Sequence, residues 1–96
     1  MRYLALALVS LSLISCNRDP NYLKEKYLQS GIKYFDHERY RDASIMFRKS
    51  IEADRKFGPA YYRLALTDLK QGQVPNAVQA FRRAHELLKP GTDDAI

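Results

Sequence analysis

The sequence has a single cysteine, no tryptophan, four glycines and four prolines among its 96 residues. One cysteine cannot form an intramolecular disulfide, so packing alone must hold the fold together. The longest uncharged apolar run, Leu4 to Ile14, would rise about 16 Å as a helix, whereas the hydrocarbon core of a bilayer is about 30 Å thick. That run is too short for a permanent transmembrane helix.

Residues that carry catalysis or bind metals are also scarce. His37 lies in an expected turn and His85 on an expected helix, and neither has further ligands at zinc-site spacing. There is no glycine-rich phosphate loop, and no serine lies near a histidine in sequence. The Asp93-Asp94 pair belongs to a polar tail, where solvation is expected rather than acid–base chemistry. We therefore expect no enzyme activity, no metal and no cofactor.

The charge balance is mildly basic, with sixteen Lys and Arg against eleven Asp and Glu. The basic residues are spread from Arg18 to Lys89 among acidic ones, whereas nucleic-acid-binding domains concentrate them on one stripe. Nucleic acid is therefore not an expected partner. Six basic residues are expected to form a solvated outer face or, alternatively, to contact anionic lipid headgroups: Arg39, Arg41, Arg48, Lys49, Arg82 and Arg83.

The first sixteen residues have the layout of a secretory signal. Arg2 gives a positive start, an apolar run follows, and the small residue Ser15 precedes Cys16. The end of the run, Leu13-Ile14-Ser15-Cys16, resembles the lipobox of bacterial lipoproteins. That resemblance implies that Cys16 takes a diacylglyceryl group as a thioether and that the peptide bond before it is cut. An ordinary cleaved signal, an uncleaved anchor and a buried free cysteine are the other interpretations.

These features divide the start of the chain into a signal peptide, residues 1–15, and a lipid anchor with a short tether, residues 16–20. Two or three acyl chains anchor a protein firmly where one chain is marginal. The lipoprotein resemblance thus implies a protein held by lipid on the bacterial cell membrane or outer membrane, facing the periplasm or the exterior.

From Asp19 onward the sequence predicts four helices. Asp19 is a suitable N-cap and Pro20 suits a first helical turn. Gly72 and the Pro90-Gly91 pair are typical stops. No segment alternates with period two for long enough to indicate a strand, so the predicted fold class is all-α. The helices are expected over about residues 20–36, 38–53, 59–71 and 75–88.

A shift of 34 residues aligns the helical region with itself, in units of about 24–57 and 58–90. Identical pairs at this shift are Tyr27 with Tyr61, Ala43 with Ala77, Phe47 with Phe81, Arg48 with Arg82 and Glu52 with Glu86. Gly31 also meets Ala65, another small residue, as close helix packing requires. A period of 34 in helix–turn–helix units is the signature of the tetratricopeptide repeat.

The chain resembles the tetratricopeptide repeat family over about residues 21–90. The matching residues are Tyr27, Gly31, Tyr34, Ala43 and Phe47 in the first unit, and Tyr61, Leu64, Ala65, Ala77 and Phe81 in the second. It departs from the family pattern at Ser30, Arg55, Asp68 and Pro90. Residues 91–96 are a tail or the start of a third unit. A Sel1-like or an unrelated array of helical hairpins is the alternative fold.

In this family the first helix of each unit lines a concave groove that binds peptides. The resemblance places two apolar stripes there, each at i, i+4 and i+7 spacing: a first stripe of Leu28, Ile32 and Phe35, and a second stripe of Tyr62, Leu66 and Leu69. Such a groove suits an amphipathic helix or an extended apolar peptide of a protein client. The alternative is that these residues pack between the repeats.

The sequence therefore predicts a membrane-tethered adaptor that binds a protein client in the bacterial envelope. Envelope assembly, pilus biogenesis and polysaccharide export are processes in which tetratricopeptide lipoproteins recur. The alternative is a structural subunit that assembles only with itself or with a longer repeat protein. Two units leave the last helix without a neighbour where about three units are usual, so we expect self-association or additional repeats.

Overall fold

The computed structural model describes residues 19–89, which form four α-helices and no strand. The helices are α1 (Pro20–Asp36), α2 (Tyr40–Ala53), α3 (Gly58–Lys70) and α4 (Val74–Leu88). The all-α prediction is confirmed, with antiparallel hairpins α1–α2 and α3–α4 joined through contacts between α2 and α3. The predicted signal, Cys16 and residues 90–96 lie outside the described residues.

The start of α1 follows the expected capping chemistry. Asp19 is extended, and its Oδ1 accepts a hydrogen bond of 3.0 Å from the backbone N–H of Asn21. Pro20 occupies the first turn, where its missing N–H leaves no helical bond unmade. The other helices begin without a side-chain cap, directly after tight turns.

The two hairpin turns are equivalent at the 34-residue shift. In the first turn the backbone N–H of Arg39 donates to the carbonyl oxygen of Tyr34 at 2.9 Å, and in the second Gln73 donates to Asp68 at 2.8 Å. The sequence repeat is therefore also a repeat of backbone structure.

Each turn is closed by one residue in the left-handed backbone region, which is why α2 starts later than expected. Glu38 has a φ of 61° and Gly72, 34 residues on, has a φ of 76°. A left-handed residue cannot continue a right-handed helix, so α2 begins at Tyr40 and not near residue 38. Glycine adopts this conformation freely, whereas glutamate is strained in it.

We expect Glu38→Gly to raise the free energy of unfolding by about 0.5–1 kcal/mol, because relief of strain exceeds the added flexibility of the unfolded chain. Gly72→Ala should cost about 1 kcal/mol, and a Cβ there would meet no atom within 4 Å, so the cost is one of backbone conformation. Urea unfolding of the two variants measures both effects. Destabilisation by Glu38→Gly would contradict this interpretation of the turn.

The core lies where the first hairpin meets α3. Phe47 is fully buried, and its ring lies so close to Gly31 that a Cβ at that position would clash with the ring carbons. Glycine at this position therefore serves the close approach of α1 and α2. The buried cluster is Leu28, Ala43, Phe47, Ile51 and Ala60, with Ile32, Tyr34, Phe35, Phe57, Tyr61 and Leu64 packed against it.

A polar network ties α1 to the loop between the hairpins. The ammonium of Lys24 lies 2.7 Å from Oδ2 of Asp54, and the hydroxyl of Ser50 donates to the carbonyl oxygen of Lys24 at 2.8 Å. The Lys24 hydrogen bond, helped by one from the backbone N–H of Lys56, lowers the pKa of Asp54. This stabilisation is present above the pKa that aspartate has in the unfolded chain and is lost as the pH falls through the lowered one.

Candidate protein-binding surface

The first stripe is largely used by packing within the protein. Leu28 is 7% exposed and belongs to the core. Contrary to the expectation, it therefore does not line an accessible groove. Ile32 and Phe35 are half-buried against the same cluster. The physical reason is α3, which contributes Ala60 and Leu64, among others, to the cluster that contains Leu28.

The second stripe is more open. Tyr62 and Leu69 are exposed, and Leu66 is half-buried. Tyr62 is equivalent to Leu28 at the 34-residue shift, and the two differ because no further helix within residues 19–89 covers α3 as α3 covers the first hairpin. Of the two stripes, the more exposed one therefore lies on the second unit.

Side chains of α4 extend this open surface. Together with Tyr62 they line a cleft of about 420 Å³, and the Tyr62 and Phe81 rings meet edge to face with centroids 6.0 Å apart. We call the surface around this cleft the distal face and define it by Tyr62, Phe81, Ala84, His85 and Leu88. Leu66 and Leu69 continue it along α3, because i+4 and i+7 residues share one side of a helix.

The sequence-based expectation placed the groove on α1 and α3 and missed the contribution of α4. The signal was present in the repeat, since Phe81 is equivalent to the buried Phe47 and Ala84 to the buried Ser50. Five residues of the first unit are equivalent to the distal face: Leu28, Phe47, Ser50 and Ile51 are buried, and Asp54 is half-buried. In the first unit α3 packs on this surface. In the second unit no further helix within residues 19–89 packs on the equivalent surface, which is the distal face.

The basic residues mostly face solvent. Arg39 pairs with Asp42 at 2.7 Å and Arg83 pairs with Glu86 at 3.3 Å, each within one helical segment. Five of the six basic residues expected on the outer face are exposed, and Arg83 is half-buried. None of the six lines the cleft of the distal face.

The described residues were also compared with the requirements of a metal site and of a membrane-spanning helix. Between residues 19 and 89, no three His, Cys, Asp or Glu side chains are grouped so that they could hold a metal ion. None of the four helices is long and apolar enough to cross a membrane.

Comparison with known proteins gives no match. No family model matches the chain, and no curated protein or solved structure shows significant similarity to it. The internal 34-residue repeat and the geometry of the distal face are therefore the basis for any functional conclusion.

Proposed function

We propose that this chain is a protein-binding module whose distal face, with Leu66 and Leu69, takes the apolar side of a client segment. The observation that carries the proposal is the contrast between the two units. In the first unit α3 covers Phe47, whereas in the second unit the equivalent Phe81 lines an open cleft. Apolar surface of this kind, framed by polar residues, is typical of protein interaction sites.

The way in which α3 packs on the first hairpin indicates what the client looks like. The residues that pack there are Phe57, directly before α3, and Ala60, Tyr61 and Leu64 on α3, spaced as one face of an amphipathic helix with a small residue among them. A client helix with large apolar residues on either side of a small one would fit the distal face in the same manner.

The repeat argues against stacking of identical copies, in which α1 of one copy would cover α4 of the next. The positions of α1 that are equivalent to Ala60 and Leu64 hold Lys26 and Ser30. A lysine and a serine would then face an apolar cleft and lose their hydration. A different protein is therefore a better candidate for the client than a second copy of this chain.

We extend the proposal to a tetratricopeptide-type adaptor held at a bacterial membrane by lipid on Cys16. The equivalence of the two turns, bond for bond, supports the repeat type. Only three residues separate Cys16 from the start of α1 at Pro20, a tether of about 10–15 Å at about 3.5 Å per residue. Clients would thus be close to the membrane, as components of envelope assembly, pilus biogenesis or polysaccharide export are.

In-cell crosslinking followed by copurification tests the binding surface. Tyr62→Asp should abolish a discrete crosslinked species, because a carboxylate would be buried unpaired beneath the client. Ile45→Asp is the matched control, since Ile45 on α2 and Tyr62 are both 45% exposed. As surface changes, both should alter the free energy of unfolding by only about 0.5 kcal/mol. Retention of every crosslinked species by Tyr62→Asp would refute the proposal.

A further inference from the structure

A groove runs along α2 on the side that faces the second hairpin. Three adjoining clefts form it, with volumes of about 400, 330 and 210 Å³, and Arg48 lines all three. One wall is α2, and the other is built by α3, α4 and the turn between them. No residue lines both this groove and the cleft of the distal face. We call it the α2 groove and define it by Arg41, Arg48, Arg55, Gln71, Asn76 and Gln79.

Three arginines stand in a row on the α2 wall. Arg41 and Arg48 are seven residues apart on α2, about two helical turns, so they share one side of the helix at a rise of about 10.5 Å. Arg55 lies just beyond the end of α2 and lines one cleft together with Arg48. All three are exposed, and none forms an ion pair with another residue of the described range 19–89. The row thus offers three guanidinium groups for binding.

The opposite wall carries side-chain amides. They belong to Gln71, Gln73, Asn76 and Gln79. Asn76 donates to Gln73 at 3.3 Å, and the side chains of Gln71 and Gln79 form no hydrogen bond within the part of the chain that the structure describes. An amide both donates and accepts hydrogen bonds, as a peptide backbone does. This wall therefore has groups that can pair with a main chain.

The aromatic residue of the groove, Tyr61, is not open for stacking. The guanidinium of Arg83 lies over the Tyr61 ring, 5.8 Å from its centroid, and the phenol donates to the carbonyl oxygen of Arg55 at 2.9 Å. Arg83 also pairs with Glu86 at 3.3 Å. Tyr61 and Arg83 are thus engaged with the protein itself and form the floor of the groove.

Acidic residues do not cancel the positive charge of the row. Glu52 is exposed on the α2 wall. Asp68 is 1% exposed, so a ligand in the groove cannot reach it. Burial raises the pKa of Asp68, and the charge of Arg48 offsets part of that effect. Among the residues that line the groove, three unpaired arginines therefore oppose one accessible carboxylate, and the groove attracts anions.

The shape and chemistry of the groove favour an extended peptide over other anions. A flat lipid surface cannot follow a recess between helices. Single-stranded nucleic acids stack their bases on exposed aromatic rings, whereas the Tyr61 ring is covered. A peptide in the polyproline II conformation repeats every three residues with a rise of about 9 Å, close to the rise between Arg41 and Arg48. Its backbone forms no internal hydrogen bonds, so the amides of the opposite wall can bond to it.

We propose that the α2 groove binds an extended acidic segment of a partner protein, in which every third residue carries a carboxylate. The carboxylates pair with Arg41, Arg48 and Arg55, and the backbone of the segment bonds to the amides of the opposite wall. Arginine is suited to this role because its planar guanidinium pairs with a carboxylate through two hydrogen bonds. The inference does not rest on the distal face, since different residues line the two sites.

Fluorescence anisotropy of a labelled peptide, with the full chain in nonionic detergent micelles at low ionic strength, tests the site. The probe is (Glu-Pro-Pro)₃, because proline and the residue before it both favour the polyproline II conformation. The neutral peptide (Gln-Pro-Pro)₃ should bind at least about tenfold more weakly, since three ion pairs are lost. Equal binding of the two peptides, or no saturable binding of the acidic one, would overturn the proposal.

Two competitors separate the peptide from other occupants. A peptide of the same composition with its three glutamates adjacent should bind more weakly than (Glu-Pro-Pro)₃, because its carboxylates cannot reach all three arginines. Equal binding would reduce the groove to an unspecific basic surface and overturn the proposal. Glycerophosphoglycerol, the soluble headgroup of phosphatidylglycerol, should not displace the probe. Its displacement by this headgroup would assign the groove to lipid phosphates instead.

Variants locate the binding on the protein. Arg48→Gln and Arg41→Gln should each weaken binding of (Glu-Pro-Pro)₃ about threefold. Arg82→Gln is the matched control, because Arg82 is exposed, is equivalent to Arg48 in the repeat and lines none of the three clefts. Equal losses for Arg48→Gln and Arg82→Gln would show binding by overall charge and refute the assignment.

The two proposed sites can fail separately. Tyr62→Asp, on the distal face, should leave peptide binding to the α2 groove unchanged. Ile45 lines the end of the groove beside Arg41, so Ile45→Asp should weaken binding of the acidic peptide while it leaves the crosslinks of the distal face intact. Loss of peptide binding in Tyr62→Asp but not in Ile45→Asp would place the peptide on the distal face and contradict the proposal.

Discussion

Replacing Phe47 with alanine should lower the free energy of unfolding by about 3–5 kcal/mol, whereas Phe81→Ala should cost about 1–2 kcal/mol. The two residues are identical in type and equivalent in the repeat, but Phe47 is 0% exposed and Phe81 is only half-buried. The difference arises because α3 covers Phe47, and loss of its ring leaves a cavity in the core. Phe81 borders an open cleft, where truncation removes fewer contacts.

Urea unfolding of both variants measures this difference. Since small domains have only about 5–15 kcal/mol of total stability, Phe47→Ala can unfold the chain outright, and the milder Phe47→Leu gives a graded comparison. Equal losses for Phe47→Ala and Phe81→Ala would contradict the contrast between a covered and an uncovered unit. They would indicate that α4 is as well packed as α2.

Changing Cys16 to serine should release the protein from the membrane and abolish its labelling by a fatty acid. The residue ends the lipobox-like run and is the only cysteine in the chain. A serine hydroxyl cannot form the thioether, and loss of two or more acyl chains removes the contribution of about 0.8 kcal/mol per buried methylene. We expect the parent protein to be labelled and largely membrane-bound, and the Cys16→Ser protein to be unlabelled and largely released from the membrane.

Growth with a labelled fatty acid, followed by membrane fractionation, measures this change. Ser12→Ala is the control, because it alters the same apolar run without touching the lipid acceptor. A Cys16→Ser protein that is labelled and membrane-bound to the same extent as the parent would exclude lipidation at this residue. It would favour an uncleaved apolar anchor instead.

The helices were predictable from the sequence because capping and stop residues act locally. As expected, α1 starts at Pro20 with Asp19 as its N-cap, and α3 ends shortly before Gly72. The sequence predicted a turn around His37 but not the left-handed conformation of Glu38, because glutamate rarely adopts it. The available signal was its equivalence to Gly72 in the repeat.

The proposed binding surface was only partly predictable from the sequence, because the exposure of a residue depends on what a neighbouring helix covers. Leu28 and Tyr62 have the same place in two similar stripes, yet one is buried by the core and the other is exposed. Spacing within a helix carries no information about that difference. Asp68 stood out as a departure from the family pattern, but its burial is a property of the packing of α3 against its neighbours.

Site-specific photocrosslinking in living cells is the most direct test of binding at the distal face. A photoreactive residue in place of Tyr62 should give one discrete adduct, and the yield should fall sharply when Leu88→Asp is added to the same chain. The same photoreactive residue in place of Ile45, which is equally exposed on α2, should not give that adduct. If the two positions gave the same adducts, or position 62 gave none, the distal face would not be a client-binding surface.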